Sequence, residues 1–130
     1  MGKLLGVDVK LNEMSPLTLA FIGDGVYELF VREYIVGLAN CSANKLHKKC
    51  VEMVRCEAQA ASARKLLEFF TEAETDVYMR GRNAHVSHVP KNSKIGDYHA
   101  ATALEAVFGY LYLNGEIDRL RELFEMIIKE

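Results

Sequence analysis

The sequence has little of what builds secreted, modular or repeat proteins. Only two prolines occur among its 130 residues, and no Gly/Ser-rich, repetitive or low-complexity segment is present, which excludes long linkers and repeat architectures. The three cysteines, Cys41, Cys50 and Cys56, are odd in number and lack CxxC spacing, so they predict reduced thiols rather than disulfides. Cys41 and Cys50 with His47 also lack the usual ligand spacing of a zinc site, and we do not predict one.

Long apolar runs are missing as well. No stretch approaches the roughly 18 apolar residues of a membrane span, and the N-terminus has no signal-peptide pattern. We therefore expect a cytoplasmic protein that makes no membrane contact. Because 50% of the residues are hydrophobic and 26% are charged, the chain is globular. We expect one domain, 1–130, which buries roughly two-thirds of its unfolded surface.

Charge is unevenly distributed along the chain. The net charge is −2, yet residues 43–96 hold ten of the sixteen Lys and Arg and only six of the eighteen acids. Within 77–96 there is no acid at all. Such a stretch is most often a solvated loop, but a cationic middle on an acidic protein can also bind phosphates.

The first long segment is patterned as a helix. Ser15-Pro16 is typical of a helix start, and Gly37 of a stop. Asp24-Gly25 is also a hairpin turn signal, but the apolar residues beside it do not alternate. Helical spacing instead places Asp24 on an apolar stripe with Leu17, Ala20, Phe21, Tyr27, Glu28 and Val31.

The remaining segments also predict helices. Ser42 can cap a long second helix, and Thr71-Glu-Ala-Glu74 matches a capping box. The predicted elements are helices over 44–70, 71–80, 98–113 and 116–130, with a loop over 81–96 and a break at Asn114-Gly115. No segment alternates like a strand, so we predict an all-α fold, a helical bundle. His85 and His88 fall in the loop, where we do not predict a metal site.

Asp24 and Glu105 are the most informative residues. Each lies in an apolar helical segment, where a carboxylate is costly unless it is paired, protonated or bound to a metal. Small residues surround both acids: Gly23, Gly25, Ala101, Thr102 and Gly109. They leave room for an ion, water and a phosphate, and carboxylate oxygens with retained water suit Mg²⁺. The alternative is that Asp24 caps a neighbour or pairs with an arginine, and that Glu105 marks a helix boundary.

The residues around these acids resemble a known family. LAFIGDGVYELFVREYI is similar to the signature helix of the ribonuclease III family, and TALEAVFGYLYL to its second acidic motif. NKLHKK, RGRNA and the PKN loop, without a double-stranded-RNA-binding domain, resemble the family's compact bacterial branch. The resemblance runs from about Leu17 to the C-terminus.

The resemblance implies a homodimeric, all-helical endoribonuclease that hydrolyses double-stranded RNA to 5′-phosphate and 3′-hydroxyl ends. It makes Asp24 and Glu105 the catalytic residues and the ligands of Mg²⁺, with Mn²⁺ as a substitute. It also implies maturation of 23S ribosomal RNA ends and leaves open whether a ribosomal protein assists. Ala20 and Thr102 stand where the wider family has further acids, which leaves the number of metal ions open.

Two further sets of residues are expected to make contacts. For the RNA we predict Lys48, Lys49, Arg80, Arg82, Asn83, Lys91 and Lys94, because Lys and Arg bind phosphates and Asn83 can bridge to a phosphate or 2′-hydroxyl. For the dimer contact we predict Tyr27, Phe30 and Val31, with plain core packing as the alternative.

Two other classes of function compete with a nuclease. A non-catalytic double-stranded-RNA-binding dimer could share the fold, although a binder has no need of two inward acids. A helical metal-dependent hydrolase of nucleotides would need a closed pocket. Steep weakening of binding by salt would favour duplex RNA over a single nucleotide.

Overall fold

The computed structural model describes residues 3–84, 91 and 94–129. Its helices are α1 (Pro16–Leu38), α2 (Ala43–Val54), α3 (Cys56–Leu66), α4 (Glu72–Arg82), α5 (Ile95–Leu113) and α6 (Ile117–Ile128), with 3₁₀ turns at Leu11–Glu13 and Leu67–Phe69. These residues contain no strand, which confirms the predicted all-α fold. None of the helices in this part of the chain has the length and apolar character needed to cross a membrane.

The predicted helix starts are present. The Ser15 hydroxyl accepts a hydrogen bond from the Thr18 amide at 3.1 Å, ahead of Pro16. At α4 the capping box is complete: the Thr71 hydroxyl accepts from the Glu74 amide, and the Glu74 carboxylate accepts from the Thr71 amide. These local bonds satisfy amides that a helix N-terminus otherwise leaves unpaired, which is why they could be read from sequence.

The predicted second helix, 44–70, is wrong as one element. It is divided into α2 and α3 by Arg55, whose backbone is extended with φ −64° and ψ 156°. Neither glycine nor proline marks this break. It is stabilised instead by a local side-chain bond, because the amide of Gln59 donates to the Val54 carbonyl, five residues earlier, at 2.8 Å.

The predicted loop is also shorter than expected at both ends. Helix α4 continues to Arg82 and α5 already begins at Ile95, three residues before the predicted start. His85 and His88 lie outside the described residues.

Helix α5 is the centre of the bundle. It packs against α1, α3 and α4, and its buried residues lie on nearly every side. A helix that is apolar all round is a core helix. Aromatic rings of α1 and α6 close the core beside it: Tyr27 meets Phe108 with centroids 5.1 Å apart, and Phe30 meets Phe124 at 5.3 Å.

Two glycines allow α1 and α5 to touch backbone to backbone. A Cβ atom on Gly23 would lie 1.6 Å from the Glu105 carbonyl oxygen, and one on Gly109 would lie 1.9 Å from the Leu19 carbonyl oxygen. Since real Cβ atoms never come this close, no other residue fits at either position without moving a helix.

The buried face of α1 therefore differs from the predicted stripe. Helix α1 buries Leu19, Ala20, Gly23, Tyr27, Val31 and Ile35. Three residues of the predicted stripe, Leu17, Phe21 and Asp24, are exposed instead of buried. The stripe was placed wrongly because it was centred on Asp24, whereas the closest approach to α5 is at its neighbour Gly23.

A buried ion pair holds α6 to α4. The Arg119 guanidinium donates to both oxygens of Glu74 at 2.8 Å and to the Phe69 carbonyl at 2.8 Å. Burial alone would raise the pKa of Glu74, but the hydrogen bonds from Arg119 and Thr71 and the Arg119 charge outweigh it, so the pKa is lowered. Glu74 is 2% exposed, and this set of bonds is what makes a buried charge tolerable there.

The close contact of α1 and α5 predicts opposite effects of two alanine substitutions. Gly109→Ala should lower the free energy of unfolding by about 3 kcal/mol or more, because the methyl group overlaps the Leu19 carbonyl. Gly25→Ala, with nothing within 4 Å of the added Cβ, should leave the free energy unchanged or raise it by up to about 1 kcal/mol. Urea unfolding of both variants measures this, and equal effects would contradict the assigned contact.

Candidate active site

The structure brings Asp24 and Glu105 together. They come from α1 and α5, about eighty residues apart in sequence, and their carboxyl groups lie within hydrogen-bonding reach of each other. The contact at Gly23 is the cause, because Asp24 follows a residue whose Cα rests against the backbone of Glu105. The two acids differ in burial: Glu105 is half-buried, whereas Asp24 is exposed on the surface of the chain. The expectation that both are core residues is therefore wrong for Asp24.

The electrostatics of the pair are unfavourable by themselves. Burial raises the pKa of Glu105 to about 8, with the negative charge of Asp24 and the hydrogen bond between the two carboxyls adding to the effect. Within the described residues, neither acid forms an ion pair with a lysine, arginine or histidine. The alternative in which Asp24 pairs with an arginine is thus not what the structure shows.

A third polar group at the site was missed in the sequence. Gln59 of α3 is 4% exposed, and its amide lies within hydrogen-bonding reach of the Glu105 carboxyl. Its contribution opposes the others, since it lowers the pKa of Glu105. The sequence did contain a signal for it. Gln59 is the only long side chain in the run AQAASA, whose other residues are small and suited to close helix packing.

The pair has the donor set of a hard divalent cation. Two carboxyl groups face each other and share no neutralising side chain in the described part of the chain. No group of three or more His, Cys, Asp or Glu side chains converges among these residues, which disfavours an all-protein cage. Mg²⁺ commonly uses one or two carboxylates and completes its shell with water and substrate phosphate. The residues present therefore fit Mg²⁺.

The residues predicted to bind RNA are all exposed. They lie in three places: Lys48 and Lys49 on α2, Arg80, Arg82 and Asn83 at the end of α4, and Lys91 and Lys94 before α5. One of them is partly used within the chain, since the Arg80 guanidinium donates to the Met14 carbonyl at 3.4 Å. Exposure makes the set available to phosphates, and their contact with RNA stays a prediction.

Two of the three residues predicted for the dimer contact are in the core. Tyr27 is 1% exposed and Val31 is 0% exposed within the single chain. Their side chains pack inward, so the alternative of plain core packing is correct for both. Phe30 is half-buried.

The opposite face of α1 is apolar and open. Phe21 is 83% exposed and Leu29 is 55% exposed. Beside them runs a groove of about 400 Å³, bounded by α1, the N-terminal segment and the α5–α6 region. Its apolar lining includes Leu4, Ile22, Val26, Leu29, Phe30 and Ile117. Large exposed apolar patches of this kind mark interaction surfaces.

Comparison with known proteins gives a consistent result. Residues 17–116 match the family model described as Ribonuclease III domain. A Mini-ribonuclease 3 of Clostridium tetani is 44% identical over 91% of this chain and 79% of its own length. A Mini-ribonuclease 3 of a Thermoanaerobacter species is 43% identical over 99% of this chain and 94% of its own length. A crystal structure of a Fusobacterium nucleatum protein, 27% identical, matches with a TM-score of 0.86 over 94% of this chain and all of its own.

The raised pKa of Glu105 predicts an unusual pH dependence of stability. An unfolded glutamate titrates near pH 4.3, whereas folded Glu105 has a pKa of about 8. Between these values the folded chain keeps a proton that the unfolded chain has lost. Without divalent cations, stability should therefore fall as pH rises from about 5 to 8, by at most about 1.4 kcal/mol per pH unit.

Urea unfolding in the presence of a chelator, at a series of pH values, measures this slope. Glu105→Gln is the matched control, because it keeps the shape of the side chain and removes the titration. Its stability should vary less between pH 5 and 8 than that of the wild type. Parallel curves for the two proteins would show that Glu105 titrates normally.

Proposed function

The chain belongs to the ribonuclease III family, and we propose that it cuts double-stranded RNA with a divalent cation held by Asp24 and Glu105. Relatives named Mini-ribonuclease 3 match nearly the whole chain, which confirms the predicted place in the compact branch. The predicted endoribonuclease activity is confirmed by the same membership. The observation that carries the assignment of the site is the convergence of two unneutralised carboxyl groups from α1 and α5.

The two acids differ in burial, and we assign each a different part in binding the cation and the substrate. Glu105 is half-buried between helices and provides a fixed ligand, whereas Asp24 is exposed and can be reached by a backbone phosphate. When bound, Mg²⁺, or Mn²⁺ in its place, supplies activation of a water for attack on the phosphodiester and stabilisation of the leaving 3′ oxygen. Hydrolysis in this sense leaves 5′-phosphate and 3′-hydroxyl ends. Ala20 and Thr102 add no carboxylate, so the protein contributes two per site.

The exposed cations provide the binding energy for the duplex. Lys48 and Lys49 of α2 and Arg82 at the end of α4 are placed on the surface, where each can neutralise a phosphate. Such contacts follow the shape of A-form RNA rather than its sequence. Asn83, Arg80, Lys91 and Lys94 complete the proposed contact set.

We propose that the working enzyme is a homodimer formed through the outer face of α1. A duplex has two strands to be cut, and two copies related by a two-fold axis present two sites. Phe21 and Leu29 are the largest exposed apolar side chains in the middle of this helix, and Leu29 lines the groove together with Phe30. Burying them against a second copy would remove an apolar surface that is otherwise exposed to water.

The proposed substrate is the precursor of 23S ribosomal RNA, processed in the cytoplasm. This part rests on the resemblance to the compact branch. The precursor should be offered both as naked RNA and as a ribosomal particle. Mapping the cuts would show whether the enzyme cleaves at the mature ends of the 23S RNA, and the difference between the two substrates would show whether a ribosomal protein contributes.

The assignment of the acids predicts loss of cleavage without loss of binding. Asp24→Asn and Glu105→Gln should each lower the rate of cutting a double-stranded RNA in Mg²⁺ by a factor of at least about 10³, since each removes one of two cation ligands. Both variants should still bind the duplex, because the phosphate contacts lie elsewhere. Gel-based cleavage and filter binding measure the two effects.

A matched control is Asp118→Asn, which changes an exposed acid on α6 and should cut like the wild type. Equal residual cutting by wild type and both site variants would indicate a contaminant. Binding without cutting by the wild type would favour the non-catalytic RNA-binding dimer.

The proposed interface predicts that a charge at Phe21 separates the subunits. Phe21→Glu should convert a dimer into a monomer at micromolar concentration, because two carboxylates would be buried across the two-fold axis. Sedimentation equilibrium measures the mass, and circular dichroism checks that the monomer stays folded. Phe69→Glu is the control, since Phe69 is 49% exposed on the 3₁₀ turn outside the groove. A dimeric Phe21→Glu variant would place the interface elsewhere.

A further inference from the structure

Gln59 carries one of two buried side-chain polar atoms that have no hydrogen-bond partner among the described residues, the other being Nδ1 of His99. Among the described residues, only three polar or charged side chains are buried: Gln59, Glu74 and Thr102. Glu74 is fully hydrogen-bonded, but the Oε1 atom of Gln59 is buried with no hydrogen-bond partner among these residues. An unpaired buried acceptor costs about 1–3 kcal/mol. Residues that cost stability in a core are expected where function requires them.

The nitrogen of the Gln59 side chain, in contrast, has two contacts. It donates to the Val54 carbonyl at 2.8 Å, and it lies within hydrogen-bonding reach of the Glu105 carboxyl. A side-chain amide carries two N–H groups, so it can serve both acceptors at once. The Val54 carbonyl is made available by the break between α2 and α3, and its bond fixes the direction in which the second N–H points.

This arrangement suits a residue that acts through Glu105. A glutamate side chain has three rotatable bonds and, without a partner, populates several rotamers. A donor anchored on the backbone restricts the carboxyl group to the rotamers that keep this hydrogen bond. Such supporting contacts commonly alter metal affinity or activity by about 10–100-fold.

We propose that Gln59 is a positioning residue for the cation site: its side-chain amide, anchored on the Val54 carbonyl, holds the Glu105 carboxyl group turned toward Asp24. The proposal rests on the proposed function, because it assumes that Glu105 is a cation ligand. The competing role is purely structural, in which the amide only stabilises the break between α2 and α3.

The test measures the affinity of the protein for Mn²⁺ in the absence of RNA. Electron paramagnetic resonance gives the concentration of unbound Mn²⁺ in each sample. Gln59→Met keeps the length and volume of the side chain and removes both N–H donors. Its affinity for Mn²⁺ should be lower than that of the wild type by at least about tenfold. The control is Leu66→Met, a volume-conserving change at a fully buried position of the same helix, which should bind Mn²⁺ like the wild type.

Glu105→Gln separates the two hypotheses. If the wild type does not bind Mn²⁺, or if Glu105→Gln binds it equally well, the proposed function fails. If Glu105→Gln loses affinity while Gln59→Met keeps it, only the positioning role is overturned, and Gln59 is structural. In the Glu105→Gln background, Gln59→Met should have no further effect on the residual affinity, because the group it acts through is gone.

A second measurement needs no substitution in Gln59 and covers the case in which Gln59→Met does not fold. Gln59 is the only glutamine in the sequence, so labelling with ¹⁵N-glutamine gives a single side-chain NH₂ pair in the NMR spectrum. Mg²⁺ should shift this pair in the wild-type protein and not in Glu105→Leu, a control that removes the carboxyl group without adding a second glutamine. An NH₂ pair that stays unmoved while Mg²⁺ binds would overturn the proposal.

Discussion

The structure depends on one close contact, the backbone of α1 against the backbone of α5. Gly23 and Gly109 make it possible, since a Cβ atom on either would overlap a carbonyl group of the other helix. Because α5 is the central helix, this contact sets where the remaining helices pack. It also sets the chemistry, since Asp24 and Glu105 meet only when the two helices lie this close. Stability and the candidate site therefore rest on the same two glycines.

Buried Glu74 and half-buried Glu105 have neighbours that shift their pKa values in opposite directions. Glu74 is held between Arg119 and the Thr71 cap, and its pKa is lowered. Glu105 faces another carboxyl group instead of a cation, and its pKa is raised to about 8. The first arrangement stabilises the fold across neutral pH, whereas the second is unfavourable until a cation binds. A raised pKa beside a second carboxyl group marks Glu105 as a candidate for a functional site, whereas the ion pair of Glu74 is structural.

Helix α1 has two apolar faces with different uses. The inner face carries Tyr27 and Val31 into the core, and the outer face leaves Phe21 and Leu29 exposed. Hydrophobic periodicity identifies apolar positions but not what they contact, and Tyr27 and Val31, predicted for a dimer contact, pack into the core of the single chain. The same limit explains the predicted single helix over 44–70. Its break at Arg55 is stabilised by a bond from the Gln59 side chain to the Val54 carbonyl, five residues earlier, and no glycine or proline marks this position.

The local sequence was sufficient to predict the helical class and the helix starts and to single out Asp24 and Glu105. Caps depend on residues three positions apart, and the motifs around Asp24 and Glu105 are local strings, so both can be read without knowing the fold. The exposure of Asp24, the burial of Gln59 and the exposed outer face of α1 depend on the tertiary structure. Each depends on how α1, α3 and α5 pack, and that packing is set by steric contact at Gly23 and Gly109 between segments far apart in the chain.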